Sequence, residues 1–330
     1  MSKLKLTMAM GLYDRTFALF DRQVEIEGCE LNPVHLLPEE AFHRAFRGAE
    51  FDITEMSLCS HILTVGRGLD RYVGIPAFTS RAFRHSGIYI RTDRGIKTAE
   101  DLKGKTIGIP EYQQTANVWI RGILQDEYGV ASTDIKWRSG GIEEPGRDER
   151  TALDLSQPID LQPIPAGRTL SDMLAKGELD GMMTARCPSV FFNGTPNVDR
   201  LYPDYMTVEE AYYKRSKIFP IMHVVGVRKS LVEQHPWLPA SIFKAFVKAK
   251  AIALEDLGLI GHLAVTLPWP VAQLEHARRL MGHDFWSYGV EANRHVLDAI
   301  LRYSHEQGLT AQQLPLESIF VRSTMDLTKV

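Results

Sequence analysis

IPAFTSRAFRHSGIYIRTDRGIKTAEDLKGKTIGIPEYQQTANVWIRGIL, residues 75–124, is where the chain declares its architecture. It opens with an arginine-rich loop (Arg81, Arg84, His85) and continues into an apolar run at residues 87–90. A turn and a short helix carrying DLKGK follow, then a second apolar run over Thr106–Ile109. Two apolar runs joined by a helical connector read as strand, crossover, strand, which predicts a parallel or mixed α/β sheet. The polar loop EYQQT then opens a helix predicted over Thr115–Tyr128. Guanidinium groups fork onto carboxylates, and the free N–H groups of a helix start point at anions. A small organic dianion held between two lobes is therefore the expected ligand.

Upstream, Leu4–Met10 reads as a first strand ending in the loop at residues 11–15, and a helix begins near Thr16. Residues 25–36 read as a second strand. Pro38–Gly48 has proline at its start and glycine at its stop, as a helix prefers. Residues 51–53 form a short predicted strand leading to the loop Thr54, Glu55, Met56, Ser57, and LCSHILTVGRG is helical. Beyond residue 91 the composition turns polar, which suits a crossing into a second lobe. That lobe would hold the strand at 106–109, the helix after it, a strand near 135–138 and a proline-broken excursion at 140–168. A helix over 169–176 and a strand leading to Arg186, Cys187 and Pro188 complete it. IFPIMHVVGVR, residues 218–228, is apolar and β-branched and would bring the chain back; the remainder is mostly helical. The expectation is an α/β protein with a discontinuous first lobe (1–91 and 225–330), an inserted second lobe (92–224), a hinge and an interlobe cleft.

The 330 residues are enough for two ordinary domains, and 44% hydrophobic with 24% charged residues is a globular composition. A net charge of −3 gives no global attraction for nucleic acid or an anionic membrane, so neither is expected as a partner. Three scattered cysteines without a CxxC pair argue against a disulfide framework or thiolate zinc site. MSKLKLTMAMGLYDR lacks the apolar core of a secretory signal, and no window approaches the ~20 apolar residues of a membrane span. A cytoplasmic location follows as the expectation. Trp237, Trp269 and Trp286 in the helical C-terminal part could support a homo-oligomer, with core packing as the alternative.

DLKGKTIGIPEYQQTA resembles the second-lobe start of type 2 periplasmic-binding-protein folds. More specifically, FTSRAFRHSGIYIR, GIPEYQQTANVWIRGIL, GGIEEPGR, PIPAGRTLSDMLAKGELDGMMTARCPS, IFPIMHVVGVRKSLVEQHPWL, DFWSYG and RYSHEQGL resemble, in order and over almost the whole length, the 4,5-dihydroxyphthalate decarboxylase family. The resemblance implies conversion of that aromatic dicarboxylate to protocatechuate and carbon dioxide in aromatic-acid catabolism, with no cofactor. The alternatives are a non-catalytic solute-binding protein for an aromatic carboxylate, and an enzyme of this fold acting on another substrate.

Such chemistry needs cations for the carboxylate that stays, a group to accept the phenolic proton and an acid at the ipso carbon. Arg15, Arg81, Arg84 and Arg186 are the candidate grips, Arg81 and Arg84 foremost because their loop adjoins the first crossing. Of the eleven histidines, His223 in the return strand and His85 after the arginine loop are the proton-transfer candidates. Asp14, Glu55 and Glu111 are the candidate carboxylates, with capping and ion pairing as their alternative roles. Gln113, Gln114 and Thr115 at the helix start, together with Tyr13 and Ser57, would hydrogen-bond the substrate, Thr115 alternatively serving as a cap. HxH, HExxH and glycine-rich phosphate loops are absent, and no metal site is expected.

Overall fold

A computed structural model describes residues 3–327. In chain order its strands are β1 (Leu4–Met10), β2 (Cys29–His35), β3 (Ile53–Ser57), β4 (Tyr72–Arg81), β5 (Ile88–Arg91), β6 (Thr106–Ile109), β7 (Lys136–Ser139), β8 (Leu161–Pro163), β9 (Gly181–Met183), β10 (Val198–Arg200) and β11 (Ile221–Arg228). The helices are α1 (Asp14–Phe20), α2 (Pro38–Gly48), α3 (Leu58–Gly66), α4 (Thr115–Tyr128), α5 (Leu170–Ala175), α6 (Ser189–Phe192), α7 (Tyr205–Ser216), α8 (Lys229–Gln234), α9 (Leu238–Asp256), α10 (Pro270–Met281) and α11 (Arg294–Glu306). The chain folds as two compact α/β units. The first takes residues through Arg81, Ser216–Leu297 and those from Pro315 on; the second takes Ala82–Arg215 and Asp298–Leu314.

The first unit is a five-stranded mixed sheet in the order β2-β1-β3-β11-β4. β1 runs parallel to β2 and β3, whereas β11 is antiparallel to β3 and β4. β3 and β11 are buried along nearly their whole length, and Met8, Ile53, Val225, Phe243 and Phe246 form core around them. α2 illustrates local and global preference agreeing: Pro38 opens it, Glu39 and Glu40 occupy its first turn, Arg47 its last, and Ala49 closes it in the left-handed region at φ 48°.

The second unit is a six-stranded sheet in the order β10-β5-β9-β6-β7-β8, parallel from β9 through β8 and antiparallel at β10, β5 and β9. Leu170, Leu174, Leu179 and Met182 make one of its cores. α4 ends at Gly129, whose φ of 62° suits glycine and whose N–H returns to Gln125.

Several sequence expectations change. The two apolar runs of residues 75–124 become β5 and β6, but β9 lies between them, because β5 pairs antiparallel with β9 rather than closing a βαβ unit with β6. Their connector holds two 3₁₀ turns, at Thr92–Arg94 and, around DLKGK, at Glu100–Leu102. Residues 54–57, expected as a loop, are the body of β3. The units divide near residues 81 and 216 where the sequence suggested 91 and 224, since β5 belongs wholly to the second sheet and residues 216–224 lead into the first. Residues 298–314 join the second unit as well. Among the described residues no helix is long and apolar enough to cross a membrane.

Candidate functional site

Glu55 organises the first unit's polar chemistry. It lies mid-way along β3, wholly buried, where an unpaired carboxylate would be strongly disfavoured. Four donors meet it: the Gly11 N–H at 3.0 Å, the Tyr13 hydroxyl at 2.9 Å, the Thr79 hydroxyl at 3.0 Å and His223 Nδ1 at 2.6 Å. Burial pushes its pKa up. The positive charge and hydrogen bond of His223, then the Gly11 and Tyr13 bonds, outweigh that and hold it below the usual carboxylate value. An ionised carboxylate only accepts, so Nδ1 carries the proton of the shared bond and Nε2 is the ring atom left for proton exchange.

Sheet geometry brings these groups together. Val225 stands opposite Glu55 and His223 opposite Ser57, so Glu55 and His223 are diagonal neighbours on one face. On the β4 side the register breaks on both sides of His223, a bulge of the kind that re-aims a side chain. Phe42 packs edge-on against the imidazole with centroids 4.8 Å apart. Gly11 lets the Tyr13 ring fold back onto Glu55, since a Cβ there would stand 2.6 Å from the Tyr13 hydroxyl. Burial, then the charge and hydrogen bond of Glu55, push the Tyr13 phenol far above its usual range, so it stays protonated as a donor.

Arg15 is tied to the same group through Tyr13 and Thr79, each of which touches both residues. Its guanidinium lies 4.3 Å from the Tyr13 ring centroid and 4.3 Å from that of Trp286. Nε donates to the Thr79 carbonyl at 2.6 Å and Nη1 to Asp14 at 3.0 Å. Nη2 has no protein acceptor among the described residues, and the side chain retains 17% exposure. Asp14 is thus the counter-ion of Arg15. Ser57 is buried beside His223 and accepts a hydrogen bond from the Ser60 hydroxyl.

Arg81, a favoured grip from sequence, makes structural ties. It is buried at the end of β4 and donates to the carbonyls of Phe219 and Ser287 and to the Asn293 side chain. Its guanidinium fastens the 287–293 segment to the sheet.

The remaining candidates lie in the second unit. His85 is 2% exposed, among Arg84, Ile88, Ile120, Ile123, Leu124, Tyr128 and Tyr202, and neither ring nitrogen has a hydrogen-bond partner among the described residues. Its nearest carboxylate oxygen, on Glu209, is 3.8 Å away. Burial and the charge of Arg215 push its pKa down to about 4; burial pushes Arg84 down to about 10 and Glu209 up to about 7. At neutral pH His85 is an uncharged core side chain, with no carboxylate partner of the kind Glu55 gives His223. Glu111 is buried and accepts from Arg147 and from Arg150 at 3.0 Å, while its Oε2 has no partner among the described residues. Gln113 donates to Glu149 at 2.9 Å and to the Thr151 carbonyl at 2.7 Å, and Glu149 also takes the N–H groups of Tyr112 and Gln113. Those donors serve the chain's own carboxylate. Gln114 is the N-cap of α4, the position sequence allowed for Thr115, and its side chain accepts from Asn117; Thr115 is buried as the first helical residue. Arg186 is exposed after β9.

Sequence reading missed Thr79 and gave Trp286 no part in the site, grouping it with the exposed-looking tryptophans. Trp237 and Trp269 are indeed 44% and 72% exposed, but Trp286 is half-buried against Arg15. Its presence in DFWSYG was the available signal. It also missed Arg147, Arg150 and Glu149, whose charged cluster GRDER was visible within the excursion. Among the described residues no three His, Cys, Asp or Glu side chains gather into a metal-ligating group.

The titration of His85 has a measurable consequence. The native state keeps it neutral down to about pH 4 while the unfolded chain protonates near 6.5, so this group withdraws stability as pH falls between those values. Between pH 7 and 5 the loss is about 2 kcal/mol. Glu209 acts oppositely, holding a proton in the native state between 4.5 and about 7 and so adding stability on acidification. His85→Leu is expected to gain a few degrees in Tm relative to the parent at pH 5 compared with pH 7. Parallel Tm profiles would show that His85 is not buried uncharged.

Over 332 aligned residues the chain is 48% identical to the curated 4,5-dihydroxyphthalate decarboxylase of Comamonas testosteroni, with all of both chains covered. The chain belongs to the 4,5-dihydroxyphthalate decarboxylase family. A second decarboxylase of that name, from Pseudomonas putida, is 47% identical over 216 residues, covering 65% of this chain and 83% of the other. Members of this family are carboxy-lyases. No family model matches the chain. Among solved structures, a protein described as the periplasmic sulfonate-binding protein SsuA of Methylobacillus flagellatus KT superposes with a TM-score of 0.53 at 14% identity, covering 98% of this chain and 93% of the other. At that identity the likeness establishes the fold, that of the two-lobed periplasmic binding proteins, which this decarboxylase shares.

Proposed function

We propose that this chain decarboxylates 4,5-dihydroxyphthalate to protocatechuate, with Arg15 holding the retained carboxylate and the Glu55–His223 pair managing the proton. One observation carries the proposal: a buried, ionised glutamate bonded to an imidazole, joined through Tyr13 and Thr79 to an arginine with an uncommitted Nη2.

Simple loss of carbon dioxide from an aryl carboxylate would leave an in-plane carbanion that the ring cannot delocalise. Each carboxylate of this diacid is para to a hydroxyl, and the molecule's two-fold symmetry makes the two carboxylates equivalent. Density from the para hydroxyl oxygen, which keeps its proton, reaches the ipso carbon, and that carbon takes a proton from His223 Nε2 and becomes tetrahedral. The C–C bond to the carboxylate then breaks and its electron pair returns to the ring, which regains its aromaticity. The dianion and one proton give the product monoanion and carbon dioxide, so each turnover takes up one proton. Glu55 fixes the imidazole tautomer and balances the charge that the ring carries as an acid. Tyr13 keeps the carboxylate oriented.

The test is incubation of the purified protein with 4,5-dihydroxyphthalate, with and without a chelator, following protocatechuate by chromatography and proton uptake by pH-stat. Protocatechuate formed in both is expected, with one proton taken up per turnover when the carbon dioxide is swept out before it hydrates. Tight binding without product would overturn the proposal in favour of solute binding. Turnover lost to the chelator and restored by a divalent ion would replace the proton-only route.

A further inference from the structure

Resting on the reading of Arg15 as the carboxylate grip, we infer that Trp286 is the positioning residue that sets the plane of that guanidinium and thereby the affinity for the substrate's retained carboxylate. Tyr13 and Trp286 each lie 4.3 Å from the guanidinium carbon, so aromatic rings pack against it from two residues far apart in the chain. Nε is spent on the Thr79 carbonyl and one Nη1 proton on Asp14, leaving the Nη2 end of the fork open. A carboxylate reaching Arg15 must therefore meet that free edge, in the plane of the fork, where Nη2 can donate.

Trp286 is itself held firmly. Its indole N–H donates to the Phe78 carbonyl at 2.8 Å and its ring meets Phe219 edge-on at 5.6 Å. Its own carbonyl accepts from Lys250 Nζ at 2.8 Å. Lys250, buried in α9, also binds Asp284 at 2.9 Å and lies 4.6 Å from the Tyr288 ring. A buried ammonium with two oxygen acceptors and an aromatic face is a costly feature unless it fixes something. It fixes residues 284–288, the segment that presents Trp286 to Arg15. The indole thus acts through Arg15 and restricts it to one orientation, lowering the ordering cost of binding.

The experiment is a double-mutant cycle on the full chain, Trp286→Leu against Arg15→Met, with KM and kcat for 4,5-dihydroxyphthalate, Kd for protocatechuate and Tm of each variant. Trp286→Leu is expected to raise KM and the protocatechuate Kd about tenfold with kcat within about threefold. In the Arg15→Met background the same change should move both by less than twofold, and Trp286→Phe, which keeps an aromatic face, should recover most of the affinity. A purely structural tryptophan would lower Tm and shift the constants equally in both backgrounds, and that result overturns the inference, as does an unchanged KM in Trp286→Leu. Should Trp286→Leu fail to fold, Trp286→Phe and Trp286→His in both backgrounds decide by the same comparison. An Arg15→Met variant with parental KM and Kd would remove the carboxylate grip itself. A raised KM in Arg15→Met beside an unaffected Trp286→Leu removes the tryptophan alone.

Discussion

His223→Asn is expected to lower kcat by about 10²–10⁴-fold while KM stays within a few-fold of the parent value. Asparagine places an amide N–H where Nδ1 stands, so the bond to Glu55 at 2.6 Å can be kept and the buried carboxylate stays paired. What disappears is Nε2, the atom proposed to deliver the proton. With the substrate's charge held by Arg15, as proposed, the ground-state complex should lose little. Steady-state kinetics with a parallel Kd for protocatechuate separates the two effects. Activity equal to the parent would remove His223 from the mechanism, and a loss confined to KM would make it a binding residue.

Glu55→Gln should cost about 10²-fold or more in kcat, together with roughly 3 kcal/mol of stability. The stability loss follows from the four donors that converge on this side chain, since glutamine offers one acceptor oxygen where the carboxylate offers two and turns an NH₂ toward the rest. The kinetic loss follows from the imidazole, which loses the partner that fixes its tautomer and balances its charge. The pH dependence has a definite sign. Glu55 is held below its ordinary value of 4.5 in the native state, so its contribution is present above that value and is lost as pH falls through the native pKa. The parent should therefore lose more stability on acidification than Glu55→Gln. Because the two residues act as one unit, the Glu55→Gln/His223→Asn double variant should be about as slow as His223→Asn alone. Additive losses would show two independent contributions.

Much of the fold was legible because local signals coincided with tertiary ones. Leu4–Met10, Pro38–Gly48, Thr106–Ile109 and Thr115–Tyr128 form the elements that their apolar runs and caps imply. Failure came where local polarity opposed burial. ITEMS reads as the end of a strand and a polar loop because threonine, glutamate and serine are not core residues by themselves. Yet β3 is buried throughout, since β1 and β11 flank it and donors from distant segments satisfy Glu55. The Glu55–His223 bond joins positions 168 residues apart, and only sheet pairing reveals it. The roles of the arginines were illegible for the same reason. Arg81 and Arg15 look alike as loop-flanking cations, but carbonyls and an amide from residues 219, 287 and 293 consume the first, whereas Tyr13, Thr79 and Trp286 orient the second and leave it one free edge. Sequence exposes the charge but not the partners that use it.

A crystal structure of His223→Asn with 4,5-dihydroxyphthalate bound addresses the mechanism most directly, because this variant should bind without turning over. The ring is expected with one carboxylate on Arg15 Nη2 and the ipso carbon of the other facing the vacated Nε2 position beside Glu55. A substrate seated away from Arg15 and residue 223, with the Glu55 cluster undisturbed, would contradict the role assigned to those side chains.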